Sequence, residues 1–235
     1  MDNKIFCAVD TGDMTRALHI AKAMEKTTGA VKLGLEFFVQ NGADGVEQVT
    51  SECPGLSIFL DLKFHDIPNT VAGAVRNVCS LQADFTTIHT SGGLDMMRAA
   101  TEAAHEYAAK HNLPRTKILG VTVLTSLDDG DMDDVGQCKP VADQVKRLAA
   151  LAQKAGLDGI VCSSHEIAAL REALGPDLIL MVPGIRPAGG AVADQKRVMT
   201  PPEALTLGAT HLVIGRPITE AADPAQAAQN IISSL

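Results

Sequence analysis

A short segment of the chain places two carboxylates and a lysine where they could transfer a proton. Asp61 and Lys63 stand at the end of the apolar run 56–62, and Asp66 follows closely. Side chains two residues apart on a strand project from the same face, so we expect Asp61 and Lys63 to lie together. A lysine beside carboxylates keeps its proton, because opposite charges favour the charged form. That suits a proton donor and disfavours a Schiff-base lysine, which needs a neutral amine.

A structural ion pair between Asp61 and Lys63 is the simpler alternative, because an unpaired charge at the end of an apolar strand is costly. Two further charges weaken that alternative. Asp66 is close in sequence, and Lys32 stands inside the apolar run 30–35, from which it can approach. We therefore expect an array of four charges. The alternate side chains of the run are expected on the opposite face: Leu60, Leu62 and Phe64.

The elements that would position these charges are short apolar runs separated by helical stretches. The runs are rich in β-branched residues and nearly continuous, which is typical of strands buried on both faces. They occupy residues 5–9, 30–35, 56–62, 85–89, 118–124, 159–162, 178–182 and 211–214. The spacing of apolar residues and the Ala-rich composition predict helices over 15–26, 94–110 and 143–155. Helix starts are predicted at Ser164 and Pro224, and a broken helix over 36–53, interrupted by Gly42 and Gly45.

Eight alternations of strand and helix predict a single α/β domain over residues 1–235, a (β/α)8 TIM barrel. A doubly wound open sheet is the alternative. Barrels place their chemistry at the carboxyl ends of the strands. Polar residues recur at these ends: Asp10, Lys32, Asp61, Lys63, Thr125, Arg186 and Arg216. Each position is weak evidence by itself, but together they predict a site on one face of the barrel.

The composition excludes several classes of function. The 235-residue chain has a formal charge of −8 and only 3% aromatic residues, whereas binders of single-stranded nucleic acid need a basic groove and stacking rings. No apolar run approaches the ~18 residues of a membrane span, and the amino terminus shows no signal-peptide pattern. The five cysteines show no C-x-x-C spacing. We therefore expect buried thiols in a cytoplasmic protein that binds neither nucleic acid nor membrane.

The segment around Lys63 resembles the signature of the orotidine 5′-phosphate decarboxylase family. It reads Asp61-Leu-Lys63-Phe-His-Asp66-Ile-Pro-Asn-Thr70. Further matching segments follow in order over nearly the whole chain: Val121-Thr-Val-Leu-Thr125-Ser, Val182-Pro-Gly-Ile-Arg186-Pro, Asp194-Gln195-Lys-Arg and Ile214-Gly215-Arg216-Pro. The resemblance implies a homodimeric (β/α)8 barrel without a cofactor. Such an enzyme would convert orotidine 5′-phosphate to uridine 5′-phosphate and carbon dioxide in pyrimidine synthesis.

The resemblance also implies a role for each matching residue. Lys63 would protonate C6 of the pyrimidine as the carboxylate leaves, and Asp61 would lie against that carboxylate. Lys32 and Asp66 would complete the charge array, with Asp66 reaching the site of the partner subunit. The remaining roles are in substrate binding: Asp10 and Lys32 at the ribose hydroxyls, Thr125 at the base, Gln195, Gly215 and Arg216 at the phosphate, and Thr70 and Arg186 elsewhere in the substrate site.

The residues themselves favour the same chemistry. Decarboxylation leaves an electron pair on carbon, which is usually drained into a cofactor such as pyridoxal phosphate or thiamine diphosphate. The sequence shows no credible site for either, so electrostatic preorganisation and prompt protonation by Lys63 remain. The segment 184–195 is rich in glycine and proline and precedes Lys196 and Arg197. We interpret it as a lid over a phosphate, with an ordinary surface loop as the alternative.

Two other functions fit parts of the sequence. A metal-dependent sugar-phosphate decarboxylase or aldolase on the same barrel would share the Asp-x-Lys-x-x-Asp core, although Lys32 on the second strand argues against it. An inactive phosphate-binding barrel would have no need of the complete charge array. The acidic segment 127–135 lacks the glycine and glutamate of a calcium loop and is predicted to be a solvated loop. His89 suits either the site or the core.

Overall fold

The computed structural model describes residues 4–187 and 199–235 and shows a closed barrel of eight parallel strands. Each strand pairs with the next one along the chain, and β8 pairs with β1. That closing pair excludes the doubly wound open sheet and confirms the predicted (β/α)8 fold. The strands are β1 (Ile5–Val9), β2 (Ala30–Leu33), β3 (Ser57–Phe64), β4 (Phe85–His89), β5 (Lys117–Val121), β6 (Gly159–Val161), β7 (Ile179–Pro183) and β8 (His211–Ile214).

Helices follow the strands and cover the outside of the barrel. In the described ranges they are α1 (Met14–Glu25), α2 (Leu35–Glu52), α3 (Pro68–Ser80), α4 (Leu94–His111), α5 (Asp129–Asp134), α6 (Val141–Ala155), α7 (Ile167–Leu174), α8 (Pro201–Thr206), α9 (Arg216–Thr219) and α10 (Pro224–Ile232). Short 3₁₀ turns at Thr90–Gly92 and Ser164–Glu166 precede α4 and α7. Among the described residues, no helix has both the length and the apolar character needed to cross a membrane.

The strands are buried on both faces, as their continuous apolar sequence predicts. One face packs against the helices, where Leu60, Leu62 and Phe64 join the large hydrophobic core. The other face fills the barrel with a smaller cluster centred on three rings. Phe6 and Phe85 meet edge to face with ring centroids 5.5 Å apart, and Phe59 completes the group at 6.0 Å from Phe6. These rings form a solid floor beneath the carboxyl ends of the strands.

The local signals in the sequence are confirmed in part. The predicted break in the second helix occurs at Gly42, which has a φ of 63° inside α2. Gly45 does not break the helix: it is a buried helical residue, and a Cβ there would clash with Asn41 at 2.4 Å. Pro224 begins α10 as predicted, whereas the short turn before α7 is capped by Ser163 and not by Ser164.

The acidic segment is the clearest error of the sequence analysis. Asp129–Asp134 forms the short helix α5 and not a loop. Asp128 accepts hydrogen bonds from the backbone N–H groups of Gly130 and Asp131, while the Asp131 carboxylate accepts from the N–H of Asp128. This reciprocal capping box stabilises the first turn of a helix, and the negative charges favour its positive amino-terminal end.

The cysteines are free thiols, and four of the five are buried. Burial raises the pKa of Cys7 to about 12 and also raises the pKa of Cys162, so both thiols stay protonated in the core. Cys138 is the exception to the prediction of buried thiols. It is exposed, and its Sγ atom lies 3.0 Å from a guanidinium nitrogen of Arg147.

Candidate active site

A cavity of about 340 Å³ opens at the carboxyl ends of the strands, above the aromatic floor. Ala8, Phe59 and Val213 belong both to the interior cluster and to the wall of the cavity. Eight of the residues predicted for the site also line it: Asp10, Lys32, Asp61, Lys63, Thr125, Arg186, Gly215 and Arg216. The strand ends therefore bring together residues that are more than 200 positions apart in the sequence.

Four charged side chains form an alternating array along one wall of the cavity. Lys63 Nζ lies 2.7 Å from Asp61 Oδ2, and Lys32 Nζ lies 3.8 Å from the same oxygen. Lys32 Nζ also donates a hydrogen bond to Asp10 Oδ1 at 3.0 Å. Asp61 and Lys32 are nearly buried, whereas Asp10 is exposed at the rim. The sign of the charge thus alternates along the array, which consists of Asp10, Lys32, Asp61 and Lys63.

The backbone of Lys63 departs from the regular strand that the sequence predicts. Its φ is 50°, in the left-handed region, and the register between β3 and β4 shifts between Leu60 and Phe64. Lys63 therefore has an irregular backbone, but its side chain lies with that of Asp61 at the cavity wall, as predicted. A left-handed residue with a Cβ is strained, and strain of this kind is concentrated at functional sites.

Thr87 on β4 is a site residue that the sequence analysis missed. Its Oγ1 lies 2.8 Å from the backbone nitrogen of Lys63 and 2.8 Å from Asp61 Oδ1. Its side chain is completely buried. The available signal was a pair of threonines, Thr86 and Thr87, inside an otherwise apolar run. Buried hydroxyls need partners, but the sequence does not say which residues those partners are.

Gly34 keeps space open for the array. A Cβ at this position would lie 2.8 Å from Lys32 Nζ and 3.4 Å from Asp10 Oδ1. The backbone of Gly34 is extended, so its conformation would suit other residues. The absence of a side chain at Gly34 therefore leaves room for the Lys32 ammonium in its observed position, whereas the backbone angles do not call for glycine.

The far side of the cavity presents groups suited to an anion. Gly184 adopts a positive φ of 78° after β7, and Arg186 follows it at the cavity wall. The Nε atom of Arg186 is buried and has no hydrogen-bond partner among the described residues. Arg216 begins α9 directly after Gly215. A buried guanidinium donor without a partner is costly, unless a ligand supplies the acceptor.

Two of the predicted residues do not line this cavity, and the position of a third is not described. Asp66 is exposed, accepts a hydrogen bond from the backbone N–H of Ile67 at 2.6 Å, and forms no ion pair with Lys32 or Lys63. Thr70 lies exposed on the first turn of α3 and does not line the cavity. Gln195 lies outside the described residues, as does most of the segment interpreted as a lid.

His89 lies beside the array, at the end of β4. Its ring is 5.4 Å from that of His65, measured between centroids. Burial lowers the pKa of His89, and the positive charges of His65 and Lys63 lower it further. Folding therefore shifts the equilibrium of His89 toward the neutral imidazole by lowering its pKa. Within residues 4–187 and 199–235, no three or more His, Cys, Asp or Glu side chains cluster as metal ligands would.

Comparison with known proteins gives a consistent result. A model of the orotidine 5′-phosphate decarboxylase / HUMPS family matches residues 3–231. The orotidine 5′-phosphate decarboxylase of Paramagnetospirillum magneticum is 52% identical over 235 residues, covering 100% of this chain and 99% of the relative. That of Rhodospirillum rubrum is 51% identical over 233 residues, covering 99% and 94%. The crystal structure of orotidine 5′-phosphate decarboxylase from Lactobacillus acidophilus superposes with a TM-score of 0.82 at 35% identity, covering 97% of each chain.

Proposed function

Since the chain belongs to the orotidine 5′-phosphate decarboxylase family and converts orotidine 5′-phosphate to uridine 5′-phosphate and carbon dioxide, we propose that the charged array at the barrel mouth carries out this reaction. The reaction is the last step of uridine 5′-phosphate synthesis and makes the protein a carbon–carbon lyase. The alternative of a metal-dependent sugar-phosphate enzyme is not supported, because the relatives at about half identity over the whole chain are named as the decarboxylase.

The observation that carries the proposal is the position of the Lys63 ammonium, 2.7 Å from Asp61 Oδ2 and at the wall of the cavity. When the bond between C6 and the carboxylate breaks, its electron pair stays on C6. The positive charge of Lys63 stabilises this developing carbanion. Lys63 then transfers one proton to C6, which yields the product ring and leaves a neutral amine that recovers its proton from water.

Asp61 has two roles in the proposed reaction. It holds Lys63 and Lys32 in place through Oδ2, and its negative charge lies against the carboxylate of the substrate. Repulsion between these two carboxylates is relieved as neutral carbon dioxide forms. Before the reaction the two lysines offset the charge of Asp61, so the site is organised before the substrate binds.

The remaining cavity residues are assigned to the ribose and the phosphate. Asp10 and Lys32 bind ribose hydroxyls and Thr125 positions the base, each from a strand end at the cavity wall. Arg216, Gly215 and Gln195 bind the phosphate, and Arg186 completes this end of the substrate site. The unpartnered Nε of Arg186 supports an anion at this end. Binding energy from the distant phosphate then contributes to stabilising the transition state at the ring.

The functional unit in this proposal is a homodimer, with Asp66 acting in the site of the partner subunit. Asp66 and Thr70 are both exposed and neither lines the cavity of its own chain. Ile67, between them, is an apolar residue with 66% of its surface exposed, as expected at a contact with another chain. We further assign the protein to the cytoplasm, where its free cysteines would remain reduced.

The proposal is tested by the loss of ultraviolet absorbance of orotidine 5′-phosphate, for the wild type, Lys63→Ala and the exposed-lysine control Lys154→Ala. We expect turnover by the wild type and the control, and a fall in kcat of at least about 10²–10⁴-fold in Lys63→Ala, the range of general acid catalysis. Undetectable wild-type turnover contradicts the function. Near-normal turnover by Lys63→Ala contradicts the role of Lys63. Activity should persist in a chelator, and its loss there would favour a metal-dependent enzyme.

A further inference from the structure

Thr87 joins two functional residues of the neighbouring strand through one hydroxyl group. Its Oγ1 accepts a hydrogen bond from the backbone N–H of Lys63 and donates one to Asp61 Oδ1, each at 2.8 Å. A threonine hydroxyl has one donor hydrogen and two acceptor lone pairs. The backbone N–H of Lys63 can only donate, so the Thr87 hydroxyl accepts from Lys63 and gives its own hydrogen to Asp61 Oδ1. The side chain has 0% exposure, so no bulk water competes with these bonds.

The hydrogen bond between Thr87 and Lys63 lies where the regular pairing of β3 with β4 is interrupted. The register between β3 and β4 shifts between Leu60 and Phe64, and Lys63 turns into the left-handed region with a φ of 50°. This conformation is unfavourable for a residue with a Cβ, so it must be held by its surroundings. The Thr87 hydroxyl accepts a hydrogen bond from the part-buried N–H of Lys63, which the shifted register leaves outside the regular pairing of β3 with β4.

The two oxygens of the Asp61 carboxylate have different partners. Oδ1 accepts from Thr87, whereas Oδ2 faces Lys63 at 2.7 Å and Lys32 at 3.8 Å. With Oδ1 anchored, the carboxylate cannot rotate without losing a buried hydrogen bond. The orientation of Oδ2, and with it the position of the Lys63 ammonium, depends on the hydroxyl on β4.

We propose that Thr87 is a positioning residue for the decarboxylation, which fixes the Asp61 carboxylate and the Lys63 backbone in the geometry that aims the Lys63 ammonium into the cavity. This inference rests on the proposed function. Thr87 does not line the cavity and has no contact with substrate assigned to it, so it acts through Asp61 and Lys63. Its loss should affect the chemical step more than the binding of the nucleotide.

The neighbouring residue provides a matched control. Thr86 is also on β4 with 0% exposure, but its Oγ1 donates to the backbone carbonyl of Leu60 at 2.9 Å and has no bond to Asp61 or Lys63. Substituting either threonine by valine removes one buried hydroxyl with little change of shape. If burial of a hydroxyl in β4 is all that matters, Thr87→Val and Thr86→Val will behave alike.

The experiment compares the wild type, Thr87→Val, Thr87→Ser and Thr86→Val. For Thr87→Val we expect kcat to fall about 10–100-fold, because small misplacements of reacting groups cost factors of this size. KM and the affinity for uridine 5′-phosphate should change less than about threefold. Thr87→Ser should have most of the wild-type kcat. Thr86→Val should keep the wild-type kcat, with a Tm similar to that of Thr87→Val. Equal kcat values for the two valine variants, or no recovery with serine, would overturn the proposal.

A second measurement separates this proposal from the proposed function. Acetic anhydride labels free amines, and mass spectrometry can report the labelling rate of Lys63 relative to Lys154. Thr87→Val should raise the relative rate for Lys63, because an amino group released from its contact with Asp61 is more accessible to the reagent, while Thr86→Val should not. An unchanged rate in Thr87→Val overturns the positioning role. If the wild type does not turn over orotidine 5′-phosphate, the proposed function fails and the labelling rate still tests the geometry.

Discussion

Lys63 Nζ lies 2.7 Å from Asp61 Oδ2, although Lys63 leaves the regular strand conformation that would place it there. The two residues are separated only by Leu62, whose side chain packs in the hydrophobic core on the opposite face. The strand is thus anchored on one side by apolar packing and carries a charged pair on the other. Changes to the pair should therefore alter the chemistry without unfolding the barrel.

Asp61→Asn should lower kcat by about 10²–10³-fold, the loss seen when one preorganised electrostatic partner is removed from an active site. The amide keeps the shape of the side chain, but it removes the negative charge that holds both lysines. Affinity for uridine 5′-phosphate, which lacks the carboxylate, should change far less than kcat. Steady-state kinetics and product titration measure both quantities. Asp10→Asn is the control variant. Because Asp10 lies at the rim of the cavity, this substitution should raise KM more than it lowers kcat.

Mixing two inactive variants tests the proposed role of Asp66 in the partner subunit. Asp66→Asn and Lys63→Ala homodimers should each be nearly inactive. If the two chains share each site, a hybrid dimer formed by subunit exchange contains one site with both native residues. A mixture of equal amounts of the two variants should therefore recover up to about a quarter of wild-type activity. Exchange must be verified with differently tagged chains. Verified exchange without any recovery would place Asp66 in its own chain's site.

Gly34→Ala should damage the site while leaving the fold intact. The new Cβ would stand 2.8 Å from Lys32 Nζ, and the flexible lysine can move away, which breaks its contacts with Asp10 and Asp61. We expect a loss of about tenfold or more in kcat/KM with little change in Tm. Gly73→Ala is the control, because nothing lies within 4 Å of its new Cβ inside α3. It should keep full activity and raise stability slightly, since alanine favours helix.

His89 should make the free energy of unfolding depend on pH in the acidic range. Burial holds its pKa below the ordinary 6.5, so the unfolded chain takes up a proton at higher pH than the folded one. Stability is therefore fully present above about pH 6.5 and is lost as the pH falls through the folded-state pKa. Denaturant unfolding between pH 7.5 and 5 should show a shallower decline for His89→Gln. The control variant His19→Gln, which removes an exposed histidine, should show the same decline in the free energy of unfolding as the wild type.

Local sequence patterns were sufficient to predict the strands and most of the cavity wall. Apolar runs identify buried strands, and the polar residues that end them identify the mouth of a barrel. The predicted ends are less accurate: β5 spans Lys117–Val121, so it begins one residue before the predicted run 118–124 and ends three residues before the end of that run. Val123 and Leu124 line the cavity instead, and an apolar residue at a cavity wall has the same sequence signal as one in a strand.

The features that were missed depend on contacts between distant residues. The left-handed turn at Lys63 follows from the shifted register with β4, and its partner Thr87 is 24 residues away in sequence. The capping box of α5 was local and could have been recognised from Asp128 and Asp131. Asp66 and Thr70 are predicted for the site from the resemblance alone, and in the single chain both are exposed and neither lines the cavity.

The ring cluster of Phe6, Phe59 and Phe85 has a consequence for the order in which products leave. In the described part of the barrel these rings fill the space below the cavity, so carbon dioxide has no exit through the barrel and must depart by the mouth through which the nucleotide entered. The proposed phosphate site, with Arg186 and Arg216 at the cavity wall, lies at that mouth. Carbon dioxide is small and uncharged, and it should therefore escape past the bound uridine 5′-phosphate, which makes nucleotide release the last event of the catalytic cycle.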